Sequence, residues 1–397
     1  MGVLVINCGS SSVKFALFSA SNPHPVAHGI VERLLGPHAS GELRLPDGTT
    51  LPLSVAEPGD HQAGLRAALD TLRAQPGLES VEAIGHRIVH GGQDFAAPTR
   101  ITPEVLATIR GLASLAPVHA IPNALGIEAA TALFPDVPQV AVFDTAFHQS
   151  IEPRVYRYAI PEELYQDYGI RRYGFHGTSH AWVAARAVEQ LGLPQDQHRL
   201  LTAHLGNGCS ATAVLHGHSA DTSMGLTPLE GLVMGTRSGN VDPNLHLFLH
   251  QQTGMSLEEI TALLNQKSGL AGLAGVTDMR QIAEKDAQGD PSAHLAIEVF
   301  TFRLARELAG LCAALGGPPD ALVFTGGIGE NSARIRRDTV AQLGALGFKL
   351  HPAANDIHGR ESAGCISPPG TAPAVLVVPT NEEFAIASAT LQLIGLA

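Results

Sequence analysis

Residues 3–18, VLVINCGSSSVKFALF, admit few folds. Residues 3–6 are an apolar run rich in β-branched side chains, which predicts a buried strand. Val13, Phe15 and Leu17 alternate with other residues and predict a second strand at once. The turn between them, NCGSSS, is almost wholly small. Gly9 permits backbone angles that a side chain would forbid. Ser10, Ser11 and Ser12 set hydroxyls beside backbone N–H groups, a concave set of donors suited to an anion. Lys14 adds a cation at the mouth of the turn, and Asn7 offers a neutral oxygen that can ligate Mg2+ directly or through water. By itself the stretch reads either as a phosphate-binding hairpin or as an ordinary Ser/Gly turn with a surface lysine. It does not match GxxxxGK[ST], so the helix-terminus phosphate site of that motif is not on offer.

A second stretch of the same layout begins at residue 200. LLTAHLGNGCSATAVLHGHSAD (200–221) again reads strand, Gly/Asn/Ser turn, strand. Two such hairpins predict a duplicated architecture in which both turns hold phosphates. A chain of 397 residues exceeds one compact core, which also favours two domains. Hydrophobic residues make up 45% of it, as in soluble globular proteins. The formal charge of −12, from 37 acidic and 25 basic side chains, argues against nucleic-acid or membrane-surface partners. An acidic protein that binds phosphates must gather its cations in one place. Cys8, Cys209, Cys312 and Cys365 form no CxxC pattern and read as free thiols. No signal-peptide layout or membrane-length apolar run is present, so a cytoplasmic protein is expected.

Candidate chemistry is spread along the chain. Asp60 is placed to cap a helix reaching about Arg73, and Thr102 another with Pro103 in its first turn. GHRIVHGG (85–92) reads as a glycine-flanked loop that holds Arg87, and residues 115–123 set His119 among prolines. A strand over 138–143 ends at Asp144, where open α/β sheets put their sites, although a turn or cap residue would look the same. Residues 150–173 are irregular and mark the passage to a second domain. RRYGFHGTSH (171–180) leads into a helix from about Ser179 to Leu191. His176 and His180 are four apart, but Gly177 between them and the missing Glu disfavour zinc; a histidine donating to an anion near a helix N-terminus fits better. Arg237 lies in a turn flanked by Gly235 and Gly239, suited to close approach to a ligand or to a plain surface loop. A long helix over 293–315 should bury Leu295, Val299, Phe302, Ala305 and Leu308. Residues 321–337 read strand, Gly-rich turn, helix, without the GxGxxG of a dinucleotide site. A strand over 375–378, a Thr380-Asn381 cap and a helix from Glu382 close the chain.

Taken in order, NxGSSSxK, GHRxVHGG, VFDTAFH, RRYGFHGTSH, HLGNG, SMGLTPLEGLVMGTRSG, FTGGIGEN and PTNEE resemble the acetate kinase (acetokinase) family, from Val3 to about Ala387. That family shares a superfamily with sugar kinases, actin and heat-shock chaperone ATPases. The resemblance implies an α/β protein with two ribonuclease-H-like, actin-like ATPase domains around an ATP cleft. The domains would span 1–149, completed by 383–397, and 150–382, in a homodimer. It implies Mg2+ or Mn2+ on Asn7 and Glu382, with ATP and ADP as co-substrates and a small carboxylate as acceptor. Lys14, with the Ser10 and Ser12 hydroxyls, and the segment His204, Leu205, Gly206, Asn207 and Gly208 would contact phosphates. Asp278, Met279 and Arg280, with Gly327, Ile328, Gly329, Glu330 and Asn331, would hold the nucleoside. Arg87 and Arg237 would flank the acyl carboxylate, and Asp144 and His176 would be catalytic. Val89, Val118, Phe175 and Pro228 would line a small pocket for the acyl methyl. Two positions depart from the family pattern on the substrate side: Ala120 replaces the Asn that follows the family's histidine, and Asn240 replaces the Asp of GTRSGD.

The chemistry implied is ATP + acetate ⇌ ADP + acetyl phosphate, by direct in-line transfer. Propionate or butyrate kinase is the nearest rival and a non-metabolic actin-like ATPase a more distant one. Phosphoryl transfer asks for positioning and charge stabilisation. A carboxylate calls for a bidentate cation, which favours Arg over Lys. The acceptor is already ionised at neutral pH, since carboxylic acids titrate near pKa ~4. No general base is then needed, and Asp144 is expected to orient an arginine or hold metal-bound water.

Overall fold

The structure is a computed structural model describing residues 2–19, 22–36, 38–75, 81–114 and 117–396; the side chains of Ser114, Pro117 and Val118 lie outside that description. The chain divides into two units, Met1–Phe147 with Asn381–Ala397, and His148–Thr380. Both breaks fall two residues earlier than the sequence reading, so Glu382 belongs to the first unit.

The first unit is built on strands β1 (Gly2–Cys8), β2 (Ser12–Ser19), β3 (Ala27–Glu32), β4 (Ser40–Arg44), β5 (Thr50–Leu53), β6 (Val81–Ile88), β7 (Thr99–Arg100) and β8 (Gln139–Phe143). They form one sheet in the order β5-β4-β3-β2-β1-β6-β8-β7. β1 to β5 run antiparallel in sequence, whereas β1, β6 and β8 are parallel neighbours. Strand alternation sends successive side chains to opposite faces. Leu4, Ile6, Phe15 and Leu17 pack with Leu65, Leu69 and Leu72 of helix His61–Arg73 and with Ala129 and Ala130 of helix Pro117–Leu133. Val3, Val5, Ala16 and Phe18 pack with Ile386, Ala387 and Leu391 of the closing helix Glu382–Ile394. The chain therefore returns to its first sheet at the end.

Gly85 lets that closing helix sit close. A Cβ there would meet Thr390 Oγ1 at 2.5 Å and Ile386 Cγ2 at 2.7 Å. Gly85→Ala should cost about 1–3 kcal/mol through overpacking. A fall in the urea midpoint of the unliganded protein is the expected result.

The second unit carries β9 (Arg199–Leu205), β10 (Cys209–Leu215), β11 (His218–Thr222), β12 (Ala321–Thr325) and β13 (Ala374–Val377), ordered β11-β10-β9-β12-β13. β9 to β11 are antiparallel neighbours, and β9, β12 and β13 are parallel. This is the arrangement of β3-β2-β1-β6-β8 in the first unit, so the two hairpins read from the sequence occupy equivalent places in two copies of one topology.

Several local expectations are corrected. Asp60 and Thr102 cap their helices as read, but the strand entering GHRIVHGG continues to Ile88, so Arg87 sits on β6 and not in a loop. Helix Pro117–Leu133 forms despite Pro122, which removes one backbone donor in its second turn. Helix Gly177–Leu191 starts two residues early, with His176 as its N-cap. Gly326–Asn331 is a short helix, not a turn. Helix Pro291–Leu311 buries Ala305 and Leu308 as expected, together with Ala293, Ala296, Ile297, Phe300 and Leu304, but Leu295 and Phe302 face outward, 52% and 55% exposed.

Candidate active site

In the first unit the parallel strands β1, β6 and β8 bring Asn7, Arg87 and Asp144 to one end of the sheet. Arg87 Nε and Nη2 donate to Asp144 Oδ1 and Oδ2 at 3.0 and 2.7 Å, a two-pronged pair that fixes the guanidinium plane. The Asp144 side chain is 2% exposed and that of Arg87 23%. Asp144 thus holds the Arg87 guanidinium in place from a buried position. Arg87 Nη2 also lies 3.6 Å from Glu382 Oε2, a buried oxygen with no hydrogen-bond partner.

The electrostatics are lopsided. Burial opposes the Arg87 charge, but Asp144 and Glu382 outweigh it and keep the guanidinium protonated beyond its ordinary range. Burial pushes the Glu382 carboxyl up; Arg87 and Lys14 pull it back, while Asp144 and Glu383 add to the rise. Glu383 is likewise raised by burial, against His28, Lys14 and Arg87. Three carboxylates thus face two cations. Among the described residues no group of three or more His, Cys, Asp or Glu could hold a metal unaided. Mg2+ needs one or two protein carboxylates when substrate phosphates complete its shell. The orphaned Glu382 oxygen, in a cluster short of positive charge, fits such an ion.

The turn at Gly9 is held from outside. Gly9 N–H donates to Ser12 O at 2.8 Å, His61 Nε2 donates to Gly9 O at 2.8 Å, and Leu34 N–H donates to Ser11 O at 3.0 Å. Lys14 pairs with Asn7 in the β1–β2 register. Asn123, buried on helix Pro117–Leu133, accepts from Val89 N–H and donates to Cys8 O, each at 3.0 Å. It ties the end of β1 to the residue after β6. Sequence reading passed over it because the neighbouring prolines hid the helix that delivers it. Ala120 is buried on the same helix.

The second unit assembles its own cluster. His176 has a left-handed backbone (φ 56). His148 Nε2 donates to the Phe175 carbonyl at 2.9 Å and so clamps that turn. The His176 ring stacks on His204 with centroids 4.4 Å apart, and its Nδ1 lies 2.9 Å from Ser210 Oγ. A Cβ on Gly208 would come within 3.3 Å of His176 and 3.7 Å of Arg237 Nη1, so the 204–208 turn passes beside both. Gly235 N–H donates to Asn207 O at 2.9 Å, and Arg237 Nη1 donates to Pro228 O at 3.1 Å. Among the described residues no carboxylate pairs with Arg237. Burial lowers its affinity for its proton, which marks a guanidinium suited to an arriving anion.

The expected nucleoside segments are linked within this unit. Gly326 (φ 76) would bring a Cβ within 2.8 Å of Leu205 O, so helix Gly326–Asn331 starts against the 204–208 turn. Glu330 points inward: its Oε1 accepts from Gly326 N–H at 3.0 Å and Thr380 N–H at 3.1 Å. It shapes the turn rather than presenting a carboxylate. Arg336, fully buried, donates to the Gly329 and Glu330 carbonyls at 2.8 and 2.9 Å. Asp278 caps helix Met279–Ala287 and pairs with the exposed Arg280, a contact that lowers the Asp278 carboxyl to about 2. That helix is joined to helix Ala333–Gln342 by an Asp286–Arg334 ion pair. Asn331 Nδ2 closes onto Gly327 O at 2.9 Å.

Of the expected methyl-pocket residues, Val89 stands in the first unit and Phe175 and Pro228 in the second, while the side chain of Val118 lies outside the described residues. Asn240 accepts from Gly231 N–H at 2.8 Å through its amide oxygen. An Asp at this position could accept the same bond.

The model of the Acetokinase family matches residues 2–388. The chain belongs to the acetokinase family. The chain is 52% identical to an acetate kinase of Deinococcus deserti, covering 100% of this chain and 98% of that one. It is 53% identical to an acetate kinase of Ectopseudomonas mendocina, over 99% and 98%. Among solved structures it is similar to an acetate kinase from Porphyromonas gingivalis (TM-score 0.93, 40% identity, 99% of each chain) and to a propionate kinase from Francisella tularensis (TM-score 0.92, 42% identity, 98% and 99%). The chain thus has the two-domain α/β fold of these enzymes.

Proposed function

We propose that this chain is an acetate kinase, transferring the γ-phosphoryl of ATP to acetate and, in reverse, from acetyl phosphate to ADP. The observation that carries the reading is identity of about one half with curated acetate kinases along the whole chain.

In this reading Arg87, pre-oriented by Asp144, meets the acetate carboxylate, and the unpaired Arg237 with His176 meets charge that gathers on the equatorial oxygens during transfer. Acetate arrives ionised, so Asp144 moves no proton. Lys14, Ser10, Ser12 and the turn from His204 to Gly208 engage phosphates. The segments at Asp278 and Gly327 hold the nucleoside. Val89, Val118, Phe175 and Pro228 are the proposed contacts of the methyl group. Mg2+ would be held by Glu382 and Asn7, where it would offset phosphate charge. A homodimer and a cytoplasmic setting belong to the same proposal; exposed Leu295 and Phe302 supply an apolar face, and no described helix is long and apolar enough to cross a membrane.

Steady-state rates with formate, acetate, propionate and butyrate test the acceptor: acetate should give the highest kcat/KM, and a preference for propionate or butyrate would overturn the assignment. Glu382→Gln tests the metal. The Mg2+ concentration for half-maximal rate should rise about tenfold or more. Its unliganded melting temperature should hold or rise, because a carboxylate disfavoured by burial, with only a 3.6 Å ion pair to Arg87 and no hydrogen bond to Oε2, is gone. The sign follows from the raised Glu382 group: its contribution to wild-type stability is fully present below the ordinary carboxylate range and is lost as pH rises through the raised one. The Gln variant should lose that decline.

A further inference from the structure

His176 heads a chain of side chains that runs into the second unit. Its Nδ1 lies 2.9 Å from Ser210 Oγ. The same Oγ lies 2.7 Å from His180 Nε2. His180 Nδ1 lies 2.7 Å from Thr202 Oγ1, which in turn donates to the Thr212 carbonyl at 3.4 Å. Ser210, His180 and Thr202 are wholly buried. Burial keeps His180 neutral, and His148 and His204 push the same way.

A neutral imidazole has one N–H and one lone pair, and a hydroxyl has one proton. The direction of one bond therefore sets every bond in the chain. The Thr212 carbonyl can only accept. With the Thr202 proton turned to it, Thr202 Oγ1 accepts from His180 Nδ1–H. His180 Nε2 is then a lone pair and accepts the Ser210 proton. Ser210 Oγ, its proton committed inward, accepts from His176 Nδ1–H.

We infer that this relay fixes a proton on His176 Nδ1, which makes Ser210 and His180 positioning residues for phosphoryl transfer. The inference rests on the proposed role of His176 at the phosphoryl group. Nε2 is the ring nitrogen that meets that group, and with Nδ1 already protonated it donates only from the imidazolium. The stacked His204 keeps the ring in plane; its Nδ1 bonds Ser179 Oγ, which bonds Thr380 Oγ1, both at 2.8 Å.

The opposite polarity, with Thr202 donating to His180 Nδ1, would place the neutral His176 proton on Nε2. Long-range 15N–1H NMR of the full-length unliganded protein, at a pH where His176 is neutral, distinguishes the two. The His176 signals are assigned by their loss in His176→Gln. Protonated Nδ1 with bare Nε2 is expected; the reverse tautomer overturns the inference. The result does not depend on activity, so it stands even if the protein makes no acetyl phosphate and the acetate kinase reading fails. The kinetic arm uses Ser210→Ala. Its kcat should fall on the order of 10- to 100-fold, the range carried by partners that orient a functional histidine. KM for ATP and acetate should stay within about twofold, as for an interaction strengthened in the transition state. Ser210→Thr, which keeps the hydroxyl, should recover most of the rate. Unchanged kcat in Ser210→Ala, or equal loss in Ser210→Thr, overturns the inference. If Ser210→Ala does not fold, the wild-type NMR measurement decides it.

Discussion

Arg237→Ala should lower kcat by about 10³-fold or more while leaving KM for ATP nearly unchanged, by analogy with arginines that meet transferring phosphoryl groups. The structure gives the reason. Arg237 is held beside the 204–208 turn and His176, donates to a neutral carbonyl at Pro228, and has no carboxylate partner among the described residues. A half-buried guanidinium without a counter-charge gains most when an anion arrives, and more still as charge accumulates in transfer. Arg237→Lys should recover little, because a point charge cannot replace the planar fork. The side chain is not a structural ion-pair partner, so the folded state should be little changed. Steady-state kinetics with saturating Mg2+-ATP, beside a melting curve for each variant, check both halves. A kcat/KM for acetate like that of wild type would remove Arg237 from the mechanism.

Arg87→Ala should fail differently. It should raise KM for acetate more than it lowers kcat, since binding shared by ground and transition states is lost. It should also destabilise the first unit, because Asp144 and Glu382 would be left facing each other in a buried place. Removing one partner of such a pair costs about 3–5 kcal/mol. The pH dependence has a definite sign. Without Arg87 the Glu382 carboxyl, already raised by burial, loses its chief counter-charge, so its contribution to stability is present below the ordinary carboxylate range and is lost as pH rises through the raised one. Arg87→Ala/Asp144→Ala should regain much of the stability near neutral pH and none of the acetate affinity. Urea midpoints at a series of pH values, with acetate KM for the single and double variants, separate the two effects. Equal stability of Arg87→Ala and wild type at neutral pH would show that the pair carries no such energy.

The contrast between the two arginines was only partly visible in the sequence. GHRIVHGG and GTRSG look alike as glycine-flanked arginine segments. Yet Arg87 sits on β6, paired with a residue 57 positions away, whereas Arg237 is in a loop without a carboxylate. Local composition cannot report a partner supplied by another strand. Caps, by contrast, are local events, and Asp60 and Thr102 act as read. So are hairpins, and both small-residue turns join antiparallel strands. Helix Pro291–Leu311 shows why periodicity can mislead. It carries large apolar residues on two faces, and the buried one holds Ala293 and Ala296, which allow close packing. Leu295 and Phe302 drew the eye but face outward. Helix Pro117–Leu133 was obscured by Pro122, and with it Asn123. Glu330 was legible as part of a glycine-rich motif, but its inward turn onto Gly326 and Thr380 depends on β13, more than forty residues on.

Trapping the product tests the central claim most directly. Purified protein is incubated with Mg2+-ATP, acetate and hydroxylamine, and acetohydroxamate is measured together with ADP. Acetohydroxamate should form in step with ADP, require both acetate and the metal, and fall to a small residue in Arg237→Ala. ADP released without acetohydroxamate, at a rate indifferent to acetate, would mean an ATPase that uses no carboxylate acceptor and would contradict the account.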